Sequence, residues 1–173
     1  MIKVLIVDDH KIVLEGLSSL IAPRENVMVV GEALNGKEAL EVLGKSKVDV
    51  AIVDIEMPEM NGVELTKTIL KLYPDVKILI LTMYNTINFI RKIAEIGAHG
   101  YILKNKGKEE LIDAILAVNE GKQYYGEEVT KTLVSSFKQK DMAGEVRLTK
   151  REKDVIKLIA RGFCTNYRRN TSS

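Results

Sequence analysis

The stretch VDVAIVDIEMPEMNG, residues 48–62, decides how this chain folds. Its first six residues are an apolar run broken only by Asp49, and the run stops abruptly at Asp54. Continuous rather than alternating apolarity marks a strand covered on both faces, as in parallel sheets. Four similar runs lie around it, at residues 3–7, 27–32, 77–81 and 100–103, all rich in Val, Ile and Leu. Helical periodicity fills the gaps. Val13, Leu17, Leu20 and Ile21 share one face, as do Leu65, Ile69 and Leu72. Ile90, Ile93 and Ala94 form another face, and Leu111, Ile115 and Val118 a fourth. Residues 37–43 read as a shorter helix opened by an Asn35-Gly36 turn signal. Strand then helix, repeated five times, predicts an α/β domain: a parallel sheet with right-handed crossovers and helices on both faces.

In such a sheet, sites form at the carboxyl ends of the strands. The first run ends in Asp8-Asp9, the third in Asp54, the fourth in Thr82 and the fifth in Lys104. With strand order 2-1-3-4-5, these four strands are contiguous, so three carboxylates, a hydroxyl and an ammonium converge. Clustered carboxylates repel unless a cation or protons offset them. A hard, oxygen-preferring ion such as Mg²⁺ is the natural partner, and it bridges readily to a phosphoryl oxygen. Asp54 can then act as a nucleophile that forms an acyl phosphate. Thr82 and Lys104 can bind the new equatorial oxygens. Any one of these residues alone would read as a cap, a turn or nothing.

The stretches VLIVDDHKIVLEGLSSLI, VDVAIVDIEMPEMNGVEL, ILILTMYN and GAHGYILKN together resemble the receiver domain of two-component response regulators. The resemblance covers residues 1–122. It implies a flavodoxin-like (CheY-like) doubly wound sheet of five parallel strands, order 2-1-3-4-5. It implies that Asp54 is the phosphoacceptor, with a phosphohistidine on a sensor histidine kinase as donor. Asp9 and Asp54 would bind Mg²⁺ directly with the backbone carbonyl of Glu56, and Asp8 through water. Pro58 and Gly62 match the loop after the acceptor. Thr82 and Tyr101 match a switch pair in which Tyr101 turns inward on phosphorylation; the plain alternative for Tyr101 is a partly buried ring with its hydroxyl at the surface. Asn105 stands where many receivers have proline, so no cis bond is expected after Lys104. The resemblance implies a phosphoacceptor that slowly loses its own phosphoryl group, rather than an enzyme, and homodimerisation on phosphorylation.

Asp8-Asp9-His10, with LTKREKDVIKLIARG further on, resembles the NarL/FixJ subgroup, which carries a LuxR-type helix-turn-helix. His10 itself reads as a helix-start residue, since no second histidine stands at ligand spacing. Three parts are expected: a receiver over residues 1–124, a helix and linker over 125–146, and an incomplete DNA-binding domain over 147–173. Residues 127–137 read as the helix. Residues 148–162 match the first helix of the DNA-binding domain, but FCTNYRRNTSS follows where scaffold and recognition helices belong. Residues 147–173 fall short of the ~40 residues usually needed to fold alone. Specific DNA binding is therefore expected of a full-length version and not of this chain. A stand-alone receiver that signals through protein contacts is the alternative.

Composition agrees with this division. Residues 1–124 carry 15 basic and 18 acidic residues, whereas 125–173 carry 11 basic and 6 acidic, suggesting modules with different partners. No apolar run approaches the ~18 residues of a membrane span. Asp8-Asp9 interrupts the N-terminal run too early for a signal peptide, so a cytoplasmic protein is expected. Cys164 is the single cysteine, so there is no internal disulfide. A flavin carrier of the same fold would need a Ser/Thr/Gly-rich loop after the first strand, where this chain has acids. An aspartyl-phosphate hydrolase would place its nucleophile there, with a second Asp two residues on. Here Asp8 and Asp9 are adjacent.

Overall fold

Five short aliphatic segments and one pair of tyrosines line up as six strands in a computed structural model that describes residues 1–22 and 24–132. The strands are β1 (Ile2–Val7), β2 (Val27–Ala33), β3 (Val50–Val53), β4 (Lys77–Thr82), β5 (Gly100–Leu103) and β6 (Tyr124–Tyr125). The helices between them are α1 (Lys11–Ile21), α2 (Gly36–Lys45), α3 (Gly62–Leu72), α4 (Ile87–Ile96) and α5 (Lys108–Asn119). Strand order is β2-β1-β3-β4-β5-β6, and every pairing is parallel. The flavodoxin-like fold is as expected, with one short strand added at the β5 edge. Residues 127–132 are helical, as far as that predicted helix lies within the described residues. The linker and the helix-turn-helix fragment lie outside them.

Successive strand side chains point to opposite faces, and the sheet accordingly separates two cores. Leu5, Val7, Ala51, Val53, Ile78 and Ile80 pack against α2, α3 and α4. Val4, Ile6, Val50, Ile52, Leu79 and Leu81 pack against α1 and α5. All four residues of β3 are buried, which is why its sequence shows no polar alternation.

Two helix faces differ from expectation. α1 buries Leu14, Leu17 and Ile21, leaving Leu20 at the surface. α3 buries Leu65 and Ile69, while Leu72 is exposed. Asn35 is the N-cap of α2, its side chain accepting from the Glu38 amide; Glu38 in turn accepts from the Leu34 amide. One orphan donor of the first turn is thereby satisfied, and Glu38 also holds the residue before the cap.

The β1–β2 register slips by one residue: Val4 pairs with Val29 but Leu5 pairs with Gly31, leaving Val30 out of the ladder. At the other side of the sheet, His99 precedes β5. Its Nδ1 accepts from the Ile78 amide at 3.1 Å, and its own amide donates to the Ile78 carbonyl at 2.9 Å.

Burial, helped by nearby Lys77, lowers the His99 pKa below its ordinary value. The unfolded chain thus takes up a proton that the folded chain resists. His99's stabilising contribution is complete above the unfolded value, about pH 6.5, and is lost as pH falls through the lower folded value. In urea titrations between about pH 7.5 and 5.5, the wild-type chain should lose more stability than His99→Asn. Parallel losses would remove His99 from the account.

Candidate functional site

Parallel pairing brings the expected residues to one end of the sheet. The Asp54 amide donates to the Val7 carbonyl, setting Asp54 beside Asp8. The Lys104 amide donates to the Thr82 carbonyl, setting those two side by side. Lys104 Nζ lies 2.5 Å from Asp8 Oδ2 and 2.9 Å from Asp54 Oδ2. Both carboxylates are nearly sealed from solvent and the ammonium is 17% exposed, so one cation is shared by two buried anions. Asp54 Oδ1 accepts from the Ile55 amide at 2.8 Å.

Burial is the largest influence on Asp54 and raises its pKa, assisted by the charge of Asp8; Lys104 and the Ile55 amide oppose the rise without cancelling it. For Lys104, burial works against the charge, but hydrogen bonds to Asp8 and Asp54 outweigh it and raise the pKa.

Asp9 stands at the rim. Its Oδ1 is 2.8 Å from His10 Nδ1, which is also 3.3 Å from Asp8 Oδ1. His10 is the N-cap of α1, as its helix-start reading implied, yet its imidazole also joins Asp8 and Asp9 in a cluster of metal-ligating groups. Asp54 is not in that cluster; its carboxylate turns to Lys104. Asp8 Oδ2 and Asp9 Oδ1 are buried oxygens, the first facing Lys104 Nζ and the second His10 Nδ1. An oxygen-rich, anionic donor set suits a hard divalent cation.

The loop after the acceptor needs Gly62. A Cβ there would sit 2.0 Å from the Asp54 carbonyl oxygen, so only glycine lets α3 begin this close to the acceptor. The Gly62 amide donates back to the Ile55 carbonyl, and Asn61 caps α3 through the Glu64 amide. Asp9, Glu56 and Pro58 line a groove of about 730 Å³ running from the rim toward Lys67, Phe89 and Lys92. Asp54 and Lys104 are not part of its lining.

Tyr101 overturns the surface-hydroxyl alternative. It is fully buried among the residues packed on the α4 side, and its hydroxyl donates to the Tyr84 carbonyl at 2.8 Å. The ring fills core space and the hydroxyl finds an acceptor inside the protein, so nothing drives it outward. The Lys104–Asn105 bond is trans; among the described residues no peptide bond is cis.

Tyr84 is the residue that the sequence reading missed. Its amide donates to Thr82 Oγ1 at 3.3 Å, its carbonyl accepts from Tyr101, and its hydroxyl donates to the Glu56 carboxylate. Its ring stacks on Phe89, with centroids 4.8 Å apart and planes within 7°. One residue therefore ties the β4–α4 loop to both expected switch residues and to the loop after the acceptor. The only signal in the sequence was an aromatic two positions past Thr82.

A buried Lys–Asp–Asp bridge at the carboxyl ends of β1, β3 and β5 defines a receiver-type acidic site, and the response regulator receiver domain family matches residues 4–116. The chain belongs to that family. Its named relatives are regulators of transcription and signalling rather than enzymes. The oxygen regulatory protein NreC of Staphylococcus epidermidis is 36% identical over 170 residues, covering 93% of this chain and 78% of NreC. A LuxR-family two-component response regulator from Aurantimonas sp. SI85-9A1 superposes with a TM-score of 0.74 at 32% identity, covering 78% of this chain and 96% of that one. The isolated receiver of RcsB from Salmonella enterica serovar Typhimurium, with the phosphomimetic BeF3⁻, gives 0.71 at 31% identity, covering 76% of this chain and 97% of that one. A structure of two RcsB dimers bound to two parallel DNAs gives 0.72 at 30% identity, covering 93% of this chain and 77% of that one.

Tyr84→Phe keeps the stack on Phe89 and removes the bond to Glu56. Amides at residues 83–86 should exchange faster in hydrogen-exchange measurements while the melting temperature barely moves. Unchanged exchange would mean that the Tyr84–Glu56 bond does not restrain the loop.

Proposed function

We propose that this chain accepts a phosphoryl group on Asp54 from a phosphohistidine of a sensor histidine kinase and thereby controls transcription. The observation that carries the reading is the sharing of Lys104 between Asp54 and Asp8. Such an ammonium is already aimed at the oxygen that would become the acyl phosphate. A carboxylate oxygen of Asp54 attacks phosphorus, the bond from phosphorus to the donor's imidazole nitrogen breaks, and the imidazole leaves with that electron pair. Lys104 and the Thr82 hydroxyl then hold the new phosphoryl oxygens, a role for preorganised charge and dipoles.

Asp9, Asp54 and the Glu56 backbone carbonyl would hold Mg²⁺, with Asp8 acting through water. A bound Mg²⁺ neutralises charge developing on the transferring phosphoryl group. The clustering of Asp8 and Asp9 carboxylate oxygens at the rim supports this assignment. Thr82 and Tyr101 form the switch pair that reorients on phosphorylation, and the bond from the Tyr101 hydroxyl to the Tyr84 carbonyl, in the loop after Thr82, supports their coupling. The BeF3⁻ complex of the RcsB receiver supports a phosphoryl site in this fold. The RcsB–DNA assembly supports dimerisation and DNA reading for a full-length relative.

The division into residues 1–124, 125–146 and 147–173, and a cytoplasmic location, belong to the same proposal. Among the described residues no helix is long and apolar enough to cross a membrane.

Incubation with acetyl phosphate and Mg²⁺ should add one phosphoryl mass to the wild-type chain and none to Asp54→Asn. An equal gain in both would move the acceptor elsewhere. Asp9→Ala should abolish the gain at moderate Mg²⁺, and excess chelator should do the same to the wild type. Full phosphorylation in chelator would dismiss the metal.

A further inference from the structure

His10 stands at the rim of the acid pocket with no part in the phosphoryl chemistry. It opens α1, but its side chain makes no capping hydrogen bond. The imidazole, 65% exposed, turns instead to the two acids that end β1. Nδ1 is 2.8 Å from Asp9 Oδ1 and 3.3 Å from Asp8 Oδ1, and one donor atom from each of the three residues lies within 4.8 Å of the others. The His10 amide also donates to Asp8 Oδ1 at 3.0 Å, so the turn into α1 keeps acid and imidazole together. Around a zinc ion at ordinary metal–ligand lengths, neighbouring donors stand about 3.0 Å apart in an octahedral shell and about 3.4 Å apart in a tetrahedral one. Both spacings from Nδ1 are close to those edges. The donors are therefore gathered before any ion arrives.

We propose that Asp8, Asp9 and His10 form a site for a borderline transition cation of the zinc class, held by one imidazole nitrogen and two carboxylate oxygens, with water completing the shell. Mg²⁺ is hard and takes oxygen ligands, whereas zinc, nickel and copper take imidazole readily. The ion occupies the place of the Nδ1 proton, and the neutral ring keeps its proton on Nε2. A dication balances the two carboxylates and removes their mutual repulsion. The donor sets of the two metals differ. His10 serves only the transition ion, Asp54 and the Glu56 carbonyl serve only Mg²⁺, and Asp9 serves both. Zinc and Mg²⁺ therefore exclude one another. That exclusion rests on the reading of Asp9 and Asp54 as Mg²⁺ ligands; the zinc site does not.

Calorimetric titration of the full chain with Zn²⁺ tests this, in a Cys164→Ser background so that no thiolate competes for the metal. His10→Gln should weaken zinc binding about tenfold or more, since even an outer-shell partner of a metal ligand is worth roughly 10–100-fold. The same variant should leave Mg²⁺ affinity unchanged, while Asp9→Asn should weaken both. In nitrogen NMR spectra of histidine-labelled protein, zinc should move the His10 Nδ1 resonance and leave that of His99, whose Nδ1 already accepts from the Ile78 amide. Zinc that does not bind, that binds His10→Gln as well as the parent chain, or that leaves the His10 nitrogen unmoved overturns the site. Saturating Mg²⁺ should raise the apparent dissociation constant for zinc. Zinc binding indifferent to bound Mg²⁺ overturns the exclusion alone. A chain that takes up zinc through His10 but no Mg²⁺ overturns the Mg²⁺ reading of Asp9 and Asp54 and leaves the zinc site standing.

Discussion

One shared ammonium holds the end of this sheet together. Asp8 and Asp54 are both buried, and each would repel the other in a medium that screens poorly. Lys104 lies within 3 Å of both, so its charge offsets two desolvated anions at once. Removing one partner from a buried ion pair typically costs about 3–5 kcal/mol, because the remaining charge is left uncompensated. With Asp9 at the rim, the group still carries an excess of negative charge. That residual negative charge is what a further cation at the rim would offset.

The fold was largely legible in the sequence because burial on both faces leaves an unambiguous mark. Residues 50–53 cannot be polar anywhere and remain a central strand. The site was legible because each strand terminates in a residue with its own chemistry, so that topology alone assembles Asp8, Asp54, Thr82 and Lys104. Helix phase was less legible. On α1, the expected face of Val13, Leu17, Leu20 and Ile21 shares Leu17 and Ile21 with the buried one, but contact with the sheet takes Leu14 in place of Val13 and Leu20. β6 is only two tyrosines long, too short for any periodicity. The position of the Tyr101 ring depends on which space the core leaves open and on the Tyr84 carbonyl, neither of which is written locally. Tyr84 itself escaped because its partners Glu56, Phe89 and Tyr101 come from three separate segments.

Tyr84, Gly62 and Asn85 show how the site's periphery is built differently from its centre. The central groups sit on strand ends and are fixed by the ladder. The peripheral ones sit on loops or at a helix start and are fixed by side-chain contacts, such as a carboxylate, a stacked ring or a hydroxyl, rather than by the ladder. Loops are the mobile, adaptable parts of a domain.

The one-residue slip in β2 has a consequence for how the molecule behaves in a crowd. β2 is an outer strand of the sheet, and outer strands present unpaired amides and carbonyls to any neighbouring chain. A regular seven-residue edge of mostly apolar residues would be a template for sheet-to-sheet aggregation. With Val30 displaced from the ladder, the edge bends and its groups fall out of step with those of a straight strand. At the opposite side the sheet ends in two residues, giving an incoming chain little to pair with. Irregularity at one margin and brevity at the other keep an all-parallel sheet from propagating beyond its own molecule.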